Sequence, residues 1–200
     1  MRQDANRAWM PFKAKQTLAT DHCDFDWRAR SGPAGLIFVR DALAGGRGRF
    51  DLLALGVLPL AKVKPSAELT RGQLMRYLAE LAWTPDAILH NTDLWWREDG
   101  PDRLVVGAGS GQDAAEVTLT LDREGRIASA FAPDRGRMVA KSIVPTPWGG
   151  RFLDYRHHRG VWLPFGAEVR WELPKGEMVY WKARIDFWEK DEGEFADGDP

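Results

Sequence analysis

The stretch Val161-Trp-Leu-Pro-Phe-Gly-Ala-Glu-Val-Arg-Trp-Glu-Leu173 decides the fold class of this chain. Every odd-numbered position in it is apolar, whereas the even-numbered positions carry Trp162, Pro164, Gly166 and three charged residues. Successive side chains of a β-strand point to opposite faces of the sheet. The period of two therefore indicates a long strand with one buried face.

A second alternating segment, 178–190, follows the turn Pro174-Lys-Gly-Glu177, so the two segments are predicted to form an antiparallel hairpin. Further strands are predicted at 12–18, 23–29, 36–43, 50–57, 95–98, 104–108, 115–121, 127–131 and 152–158. About ten or eleven strands without alternating helices predict a mainly β (α+β) fold. We expect a single strongly curved antiparallel sheet or half-barrel, with one principal helix at about 69–83 covering it.

The start of that helix carries several signals. Thr70 is predicted as the N-cap, Gln73 as its capping-box partner, and Leu69 with Leu74 as a hydrophobic staple. The stripe expected to pack on the sheet consists of Leu74, Tyr77, Leu78 and Leu81. Pro85 is expected to close the helix or to begin a short second one.

Composition restricts the classes of function. Lys and Arg total 28 against 29 for Asp and Glu, so no basic field exists to attract nucleic acid. The single Cys23 cannot form an internal disulfide. Residues 1–9 lack a signal peptide's apolar core, and the most apolar run, 52–61, is shorter than a membrane span. These features predict one β domain at 1–190, an acidic disordered tail at 191–200, no transmembrane segment and a cytoplasmic location.

No residue pattern predicts a metal, a cofactor or a catalytic group. His157 and His158 are neighbours, and neighbours on a strand point to opposite faces, so they are poorly placed to chelate one ion. His22, Asp24 and Asp26 would share a face and could bind a cation, but a solvated polar edge is the expected role for them.

Ten tryptophans are the unusual feature of the composition. They can serve a β core, or they can line a pocket, and a curved sheet allows both. If the helix covers the mouth of such a sheet, a few polar groups and several aromatic rings would line an apolar site. The candidate ligand-binding residues are Arg76, Tyr77, Glu80, Trp83, Trp95, Trp148, Trp162 and Glu168.

A series of short motifs extends over nearly the whole chain. In order they are Trp9-x-Pro11-Phe12-x-Ala14-x-Gln16, Phe25-x-Trp27-x-Ala29, Arg76-Tyr77-Leu78-Ala79-Glu80, Trp83-x-Pro85-x-Ala87, Pro147-Trp148-Gly149-Gly150 and Gly160-x-x-x-Pro164. Their order resembles a bacterial family of unknown function, related to the LolA and LppX type of lipoprotein carrier. The resemblance implies an open curved sheet with a helical cover and a hydrophobic concave surface. It establishes no catalytic residue. Longer members carry a membrane-proximal segment, so the resemblance allows an association with the cell envelope.

Three hypotheses of function follow. The first is a non-enzymatic binder of a lipid or another apolar ligand, held in an aromatic-lined concave sheet. The second is a hydrolase-like enzyme that uses the Glu80 and Glu168 carboxylates with Arg76. The third is a structural or protein-interaction module whose aromatic residues belong to the core. Whether the tryptophans face a cavity separates the first hypothesis from the third, and the positions of the carboxylates test the second.

Overall fold

Two antiparallel β-sheets and a helix that contacts both of them form the fold. A computed structural model describes residues 1–2, 6–55, 57–140 and 142–190, without the side chains of 61–63. Sheet 1 consists of β1 (Phe12–Leu18), β2 (Phe25–Ser31), β3 (Ile37–Ala44), β4 (Arg47–Ala54) and β5 (Leu58–Val63). Sheet 2 consists of β6 (Trp95–Glu98), β7 (Arg103–Ala108), β8 (Ala115–Leu121), β9 (Ile127–Val139), β10 (Ser142–His158), β11 (Val161–Leu173) and β12 (Gly176–Arg184). The tail expected to be disordered, 191–200, lies outside the described residues.

The mainly β, antiparallel character predicted from the sequence is confirmed, but the prediction of one sheet is corrected to two. In each sheet the strands pair in chain order, and neither sheet closes into a barrel among the described strands. The chain between β5 and β6 forms α1 (Ala67–Ala79), a 3₁₀ turn (Glu80–Trp83) and α2 (Pro85–His90). Helix α1 packs against strands of both sheets, so it separates them instead of covering one continuous surface.

Four strands have the predicted bounds and the others differ, including the clearly alternating segment 178–190, which the structure shows as β12 (Gly176–Arg184). β1, β6, β8 and β11 begin and end where the pattern predicted them. β9 and β10 are longer than predicted, with 13 and 17 residues, and β5 was not predicted. The first half of β10 was not predicted because Pro145 and Pro147 are unusual inside a strand. A register shift between Thr146 and Trp148 accommodates the prolines in the pairing with β9.

The N-terminus of α1 differs from the prediction. Ser66 is the N-cap, and its hydroxyl accepts a hydrogen bond from the backbone N–H of Leu69 at 3.2 Å. Thr70 instead accepts from the backbone N–H of Gly48 in β4, and Gln73 donates to Asp41 in β3. The two polar side chains that resembled a capping box therefore connect the helix to sheet 1. Pro85 begins α2, which was one of its two predicted roles.

Helix α1 is buried on more than the one predicted stripe. Its buried residues are Gln73, Leu74, Met75, Tyr77, Leu78 and Ala79. A helix that is buried on most of its circumference lies inside a fold, since a surface helix exposes a polar face. Its position between the two sheets explains this burial. No helix in the described parts of the chain is long and apolar enough to cross a bilayer.

Candidate functional site

A cavity of about 850 Å³ lies between the inner faces of the two sheets, beside the helix. This volume falls in the range of small-molecule sites, about 300–1,000 Å³. The described residues that line it are Met1, Arg2, Arg7, Ala8, Met10, Trp27, Ile37, Val39, Asp41, Phe50, Leu52, Leu60, Arg76, Ala79, Glu80, Trp83, Ala130, Arg135, Trp148, Gly150, Arg151, Phe152, Ala167, Glu168, Val169, Tyr180 and Trp181. Most of them are apolar or aromatic, so the site suits an apolar occupant.

Strand alternation directs side chains into the cavity. In β10, Trp148, Gly150 and Phe152 occupy alternate positions and share a face, with Gly150 between the two aromatic rings. A Cβ atom built on Gly150 would meet its nearest neighbour, the carbonyl oxygen of Glu168, at 3.5 Å, which is an ordinary contact. Gly150 therefore leaves open a space that a larger side chain could fill.

The helical segment contributes a second wall. Arg76 and Ala79 of α1 line the cavity together with Glu80 and Trp83 of the following 3₁₀ turn. These residues follow the spacing i, i+3, i+4 and i+7, which places them along one side of a continuous helical path. The Trp83 indole N–H donates to the carbonyl oxygen of Pro164 at 2.8 Å, which fixes the ring against sheet 2.

A polar network lies where the helix meets sheet 1. Arg76 donates to Asp41 at 2.6 Å, to Glu80 at 2.8 Å and to Gln16 at 3.1 Å. Its guanidinium carbon also lies 4.8 Å from the ring centroid of Phe25. Burial acts to lower the pKa of Arg76, but the charges of Glu80 and Asp41 outweigh it and raise that pKa. Arg76 therefore stays protonated, and its ion pair with Asp41 links α1 to β3.

Arg135 of β9 is a second cation in the cavity wall. Its guanidinium carbon lies 4.1 Å from the centroid of the Trp148 ring, a close cation–π contact. The indole N–H of Trp148 in turn donates to the Tyr180 hydroxyl at 2.9 Å. Burial lowers the pKa of Arg135. The Trp148 ring is thus held between a cation on its face and a hydroxyl at its edge.

The two carboxylates singled out from the sequence each face a cation. Glu80 pairs with Arg76, and Glu168 pairs with Lys182 at 2.5 Å. Arg151, which also lines the cavity, pairs with Glu177 at 2.8 Å. Both of the carboxylates in the enzyme hypothesis thus take part in ion pairs.

Aromatic contacts bring the edges of the two sheets together at one side of the cavity. Phe12 of β1 lies 5.8 Å from Trp181 of β12 and 5.9 Å from Trp27 of β2, measured between ring centroids. The N-terminal residues add to this side, because the backbone N–H of Arg2 donates to the carbonyl oxygen of Tyr180 at 2.8 Å. This side of the cavity is therefore walled by side chains and by the chain terminus.

Five of the eight residues singled out from the sequence line the cavity, and three do not. The lining residues are Arg76, Glu80, Trp83, Trp148 and Glu168. Tyr77 is fully buried on another side of α1, where its hydroxyl donates to the carbonyl oxygen of Ala19 at 2.9 Å. Trp95 is 40% exposed and lies across Gly107, and Trp162 is 52% exposed beside His157. Ligand binding by any of the eight stays a prediction.

Several lining residues were not singled out from the sequence. Trp181 lies on the apolar face of the predicted last strand, so alternation alone could have suggested it. Asp41 and Arg135 could not be found in this way. Asp41 is a polar residue in the predicted strand 36–43, and Arg135 follows Pro133 in a stretch that was not predicted as a strand.

No group of three or more metal-ligating side chains occurs in the described ranges. In the trio considered from the sequence, Asp24 accepts from the backbone N–H of Gly45, and Asp26 pairs with Arg28 and Arg40. These contacts agree with a structural role for both aspartates.

Comparison with known proteins gives a family without a function. The family model described as a family of unknown function, DUF6544, matches residues 1–183. The crystal structure of a LolA superfamily protein from Nitrosomonas europaea aligns with a TM-score of 0.34 and 12% sequence identity, over 90% of this chain and 86% of that chain. A TM-score of this size supports no argument about ligand or mechanism. No curated protein matches the sequence.

Proposed function

Because the chain belongs to DUF6544, a family of unknown function, we propose its function from the cavity itself: non-enzymatic binding of a lipid or another apolar ligand. The observation that supports this proposal is the cavity of about 850 Å³ between the two sheets, with its largely apolar wall. An apolar ligand that leaves water for such a cavity gains roughly 25 cal/mol for each Å² of its surface that is buried.

The construction of the wall also supports the proposal. Trp83 and Trp148 are 8% and 3% exposed, and each indole N–H has a hydrogen-bond acceptor. Rings fixed in this way present apolar faces without an unpaired donor, so they need no reordering when a ligand enters. A preformed pocket of this kind suits binding.

The enzyme hypothesis and the structural-module hypothesis have less support. Glu80 and Glu168 are held by Arg76 and Lys182, an arrangement that favours fixed charges over a free acid and base. A purely structural module has no need of a large cavity between its sheets. The cytoplasmic location and the association with the cell envelope both stay predictions.

The test is a change of cavity volume. Gly150→Phe would place a ring between Trp148 and Phe152 without a close Cβ contact. We expect wild-type protein to bind the neutral fluorophore Nile red saturably and native mass spectrometry to detect a copurified apolar molecule. Gly150→Phe is expected to weaken Nile red binding by about tenfold or more, which corresponds to about 1.4 kcal/mol.

Leu153→Phe is the matched control, since Leu153 is on the same strand, is 47% exposed and does not line the cavity. It is expected to bind the probe as the wild type does. If Nile red binds equally to all three proteins, or to none of them, the binding proposal fails and the structural module replaces it.

A further inference from the structure

The wall of the cavity carries a cation without a matching anion. In the part of the chain that the structure describes, the Arg135 guanidinium contacts the Trp148 ring and makes no hydrogen bond or ion pair. It lines the cavity and is half-buried. An arginine stays charged under all physiological conditions, so this positive charge faces a largely apolar space.

The nearest carboxylates are engaged elsewhere. Asp41 and Glu80 act on Arg135 at a distance, but both are hydrogen-bonded to Arg76. Glu168 is paired with Lys182. Among the described lining residues, Arg76 and Arg151 have carboxylate partners, whereas Arg135 has none.

A guanidinium in this position is costly unless an anion reaches it. Removal of a charge from water is unfavourable without a partner. A cation–π contact compensates for this loss less well than charge-assisted hydrogen bonds do. The planar fork of five N–H donors matches the oxygens of a carboxylate or phosphate in a bidentate geometry. The Trp148 ring contacts one face of the fork, and the N–H donors of the fork make no hydrogen bond to any residue that the structure describes.

We infer that the ligand is an anionic amphiphile, whose carboxylate or phosphate headgroup binds Arg135 while its hydrocarbon chain occupies the apolar part of the cavity. This inference rests on the proposed function, because it gives the chemical class of the apolar ligand. Burial, which lowers the pKa of Arg135, adds to the advantage of an anionic partner, since the anion replaces lost solvation.

The test compares two molecules that differ in their headgroup. Palmitate and hexadecanol carry chains of equal length, and each is titrated against Nile red bound to the protein. We expect wild-type protein to prefer palmitate by about tenfold or more, as for a hydrogen bond to a charged group. Arg135→Gln is expected to abolish this preference and to keep the affinity for hexadecanol. Arg135→Lys is expected to keep part of it.

Arg137→Gln is the matched control. Arg137 is on the same strand, its guanidinium carbon lies 5.9 Å from the centroid of the Trp171 ring, and it does not line the cavity. This variant is expected to keep the wild-type preference. Inorganic phosphate alone is expected to compete poorly, and effective competition by it would refute the amphiphile in favour of a free anion.

The two proposals fail in different ways. If wild-type protein binds palmitate and hexadecanol equally, the anionic headgroup is refuted and binding of apolar ligands stands. If it binds neither of them, both proposals fail. The preference of the wild type tests the anionic headgroup even if Arg135→Gln does not fold. A preference for palmitate that persists in folded Arg135→Gln or is lost in Arg135→Lys would refute Arg135 as the partner of the headgroup.

Discussion

The Arg76 guanidinium lies 2.6 Å from the Asp41 carboxylate, and this ion pair joins helix α1 to strand β3 beside the cavity. The two side chains are only 12% and 13% exposed. Removal of one partner leaves an uncompensated charge in a poorly solvated place. We expect Asp41→Ala to lower the free energy of unfolding by about 3–5 kcal/mol, measured by urea denaturation.

Arg28→Ala provides the comparison for this ion pair. The Arg28 side chain is 67% exposed, and its partner Asp26 keeps a second cation, Arg40. The loss expected from this variant is much smaller, because water and salt screen an exposed ion pair. Equal losses of unfolding free energy in Asp41→Ala and Arg28→Ala would show that the buried ion pair contributes no more to stability than the exposed one.

The alternation of apolar residues predicted most strands, but it could not predict how they divide into sheets. Period two reports which face of a strand is buried and carries no information on which element buries it. The division follows from α1, whose burial depends on contacts with both sheets. The sequence signal that this helix lies inside the fold was Met75, an apolar residue outside the predicted stripe. In the structure this residue is fully buried.

The candidate site was predictable at Trp83, where helix spacing and aromatic content coincide, and at Trp148, where aromatic content alone suggested it. It was not predictable where tertiary contacts decide the role of a residue. Trp162 shares its strand with lining residues but lies outside the cavity. Arg135 lines the cavity from a part of β9 that was not predicted as a strand, because Pro133 interrupts the pattern there. Composition suggests an aromatic-rich surface, and only the packing of the two sheets determines which rings form it.

Gly48 allows α1 to approach β4 closely. A Cβ at this position would lie 2.8 Å from the Cα of Thr70, and backbone cannot move aside as a flexible side chain can. Gly48→Ala is expected to lower the free energy of unfolding by about 1–3 kcal/mol. Thermal denaturation followed by circular dichroism measures the effect.

Gly72 is the matched position within the helix. A Cβ there would have its nearest neighbour, the Nε atom of Arg135, at 4.0 Å. Gly72→Ala should therefore raise stability by about 0.5–1 kcal/mol, the usual gain for alanine in a helix interior. A destabilising Gly72→Ala, or a neutral Gly48→Ala, would contradict the packing described for this helix.

The Cys23 thiol predicts how stability changes at alkaline pH. Burial raises its pKa from 9.0 to about 11. A raised folded-state pKa means that the folded protein holds the proton more strongly than the unfolded chain does. This contribution to stability is complete below about pH 9 and is lost as the pH rises through about 11. Urea denaturation across this interval measures the loss.

Cys23→Ser isolates the contribution of the thiol, because serine does not titrate in this range. The difference in unfolding free energy between wild type and Cys23→Ser is expected to shrink as the pH rises from 9 to 11. A constant difference would show that the thiol titrates normally in the folded protein.

Tyr77 separates a structural role from ligand binding. Its hydroxyl donates to the carbonyl oxygen of Ala19 at 2.9 Å and accepts from the Asn91 amide at 3.0 Å, away from the cavity wall. Tyr77→Phe removes both hydrogen bonds and leaves the Asn91 amide only its contact with the Cys23 sulfur at 3.5 Å. We therefore expect a loss of about 1–3 kcal/mol in stability with unchanged affinity for Nile red.

Tyr180→Phe makes the same chemical change within the cavity wall. It removes the acceptor of the Trp148 indole N–H, whose ring lines the site. We expect a smaller loss of stability, about 0.5–1.5 kcal/mol, because Tyr180 is only partly buried, and a measurable change in Nile red affinity as the ring loses its fixed orientation. If Tyr77→Phe alters probe binding and Tyr180→Phe does not, the ligand occupies a region on the other side of α1 and the cavity described here is not the binding site.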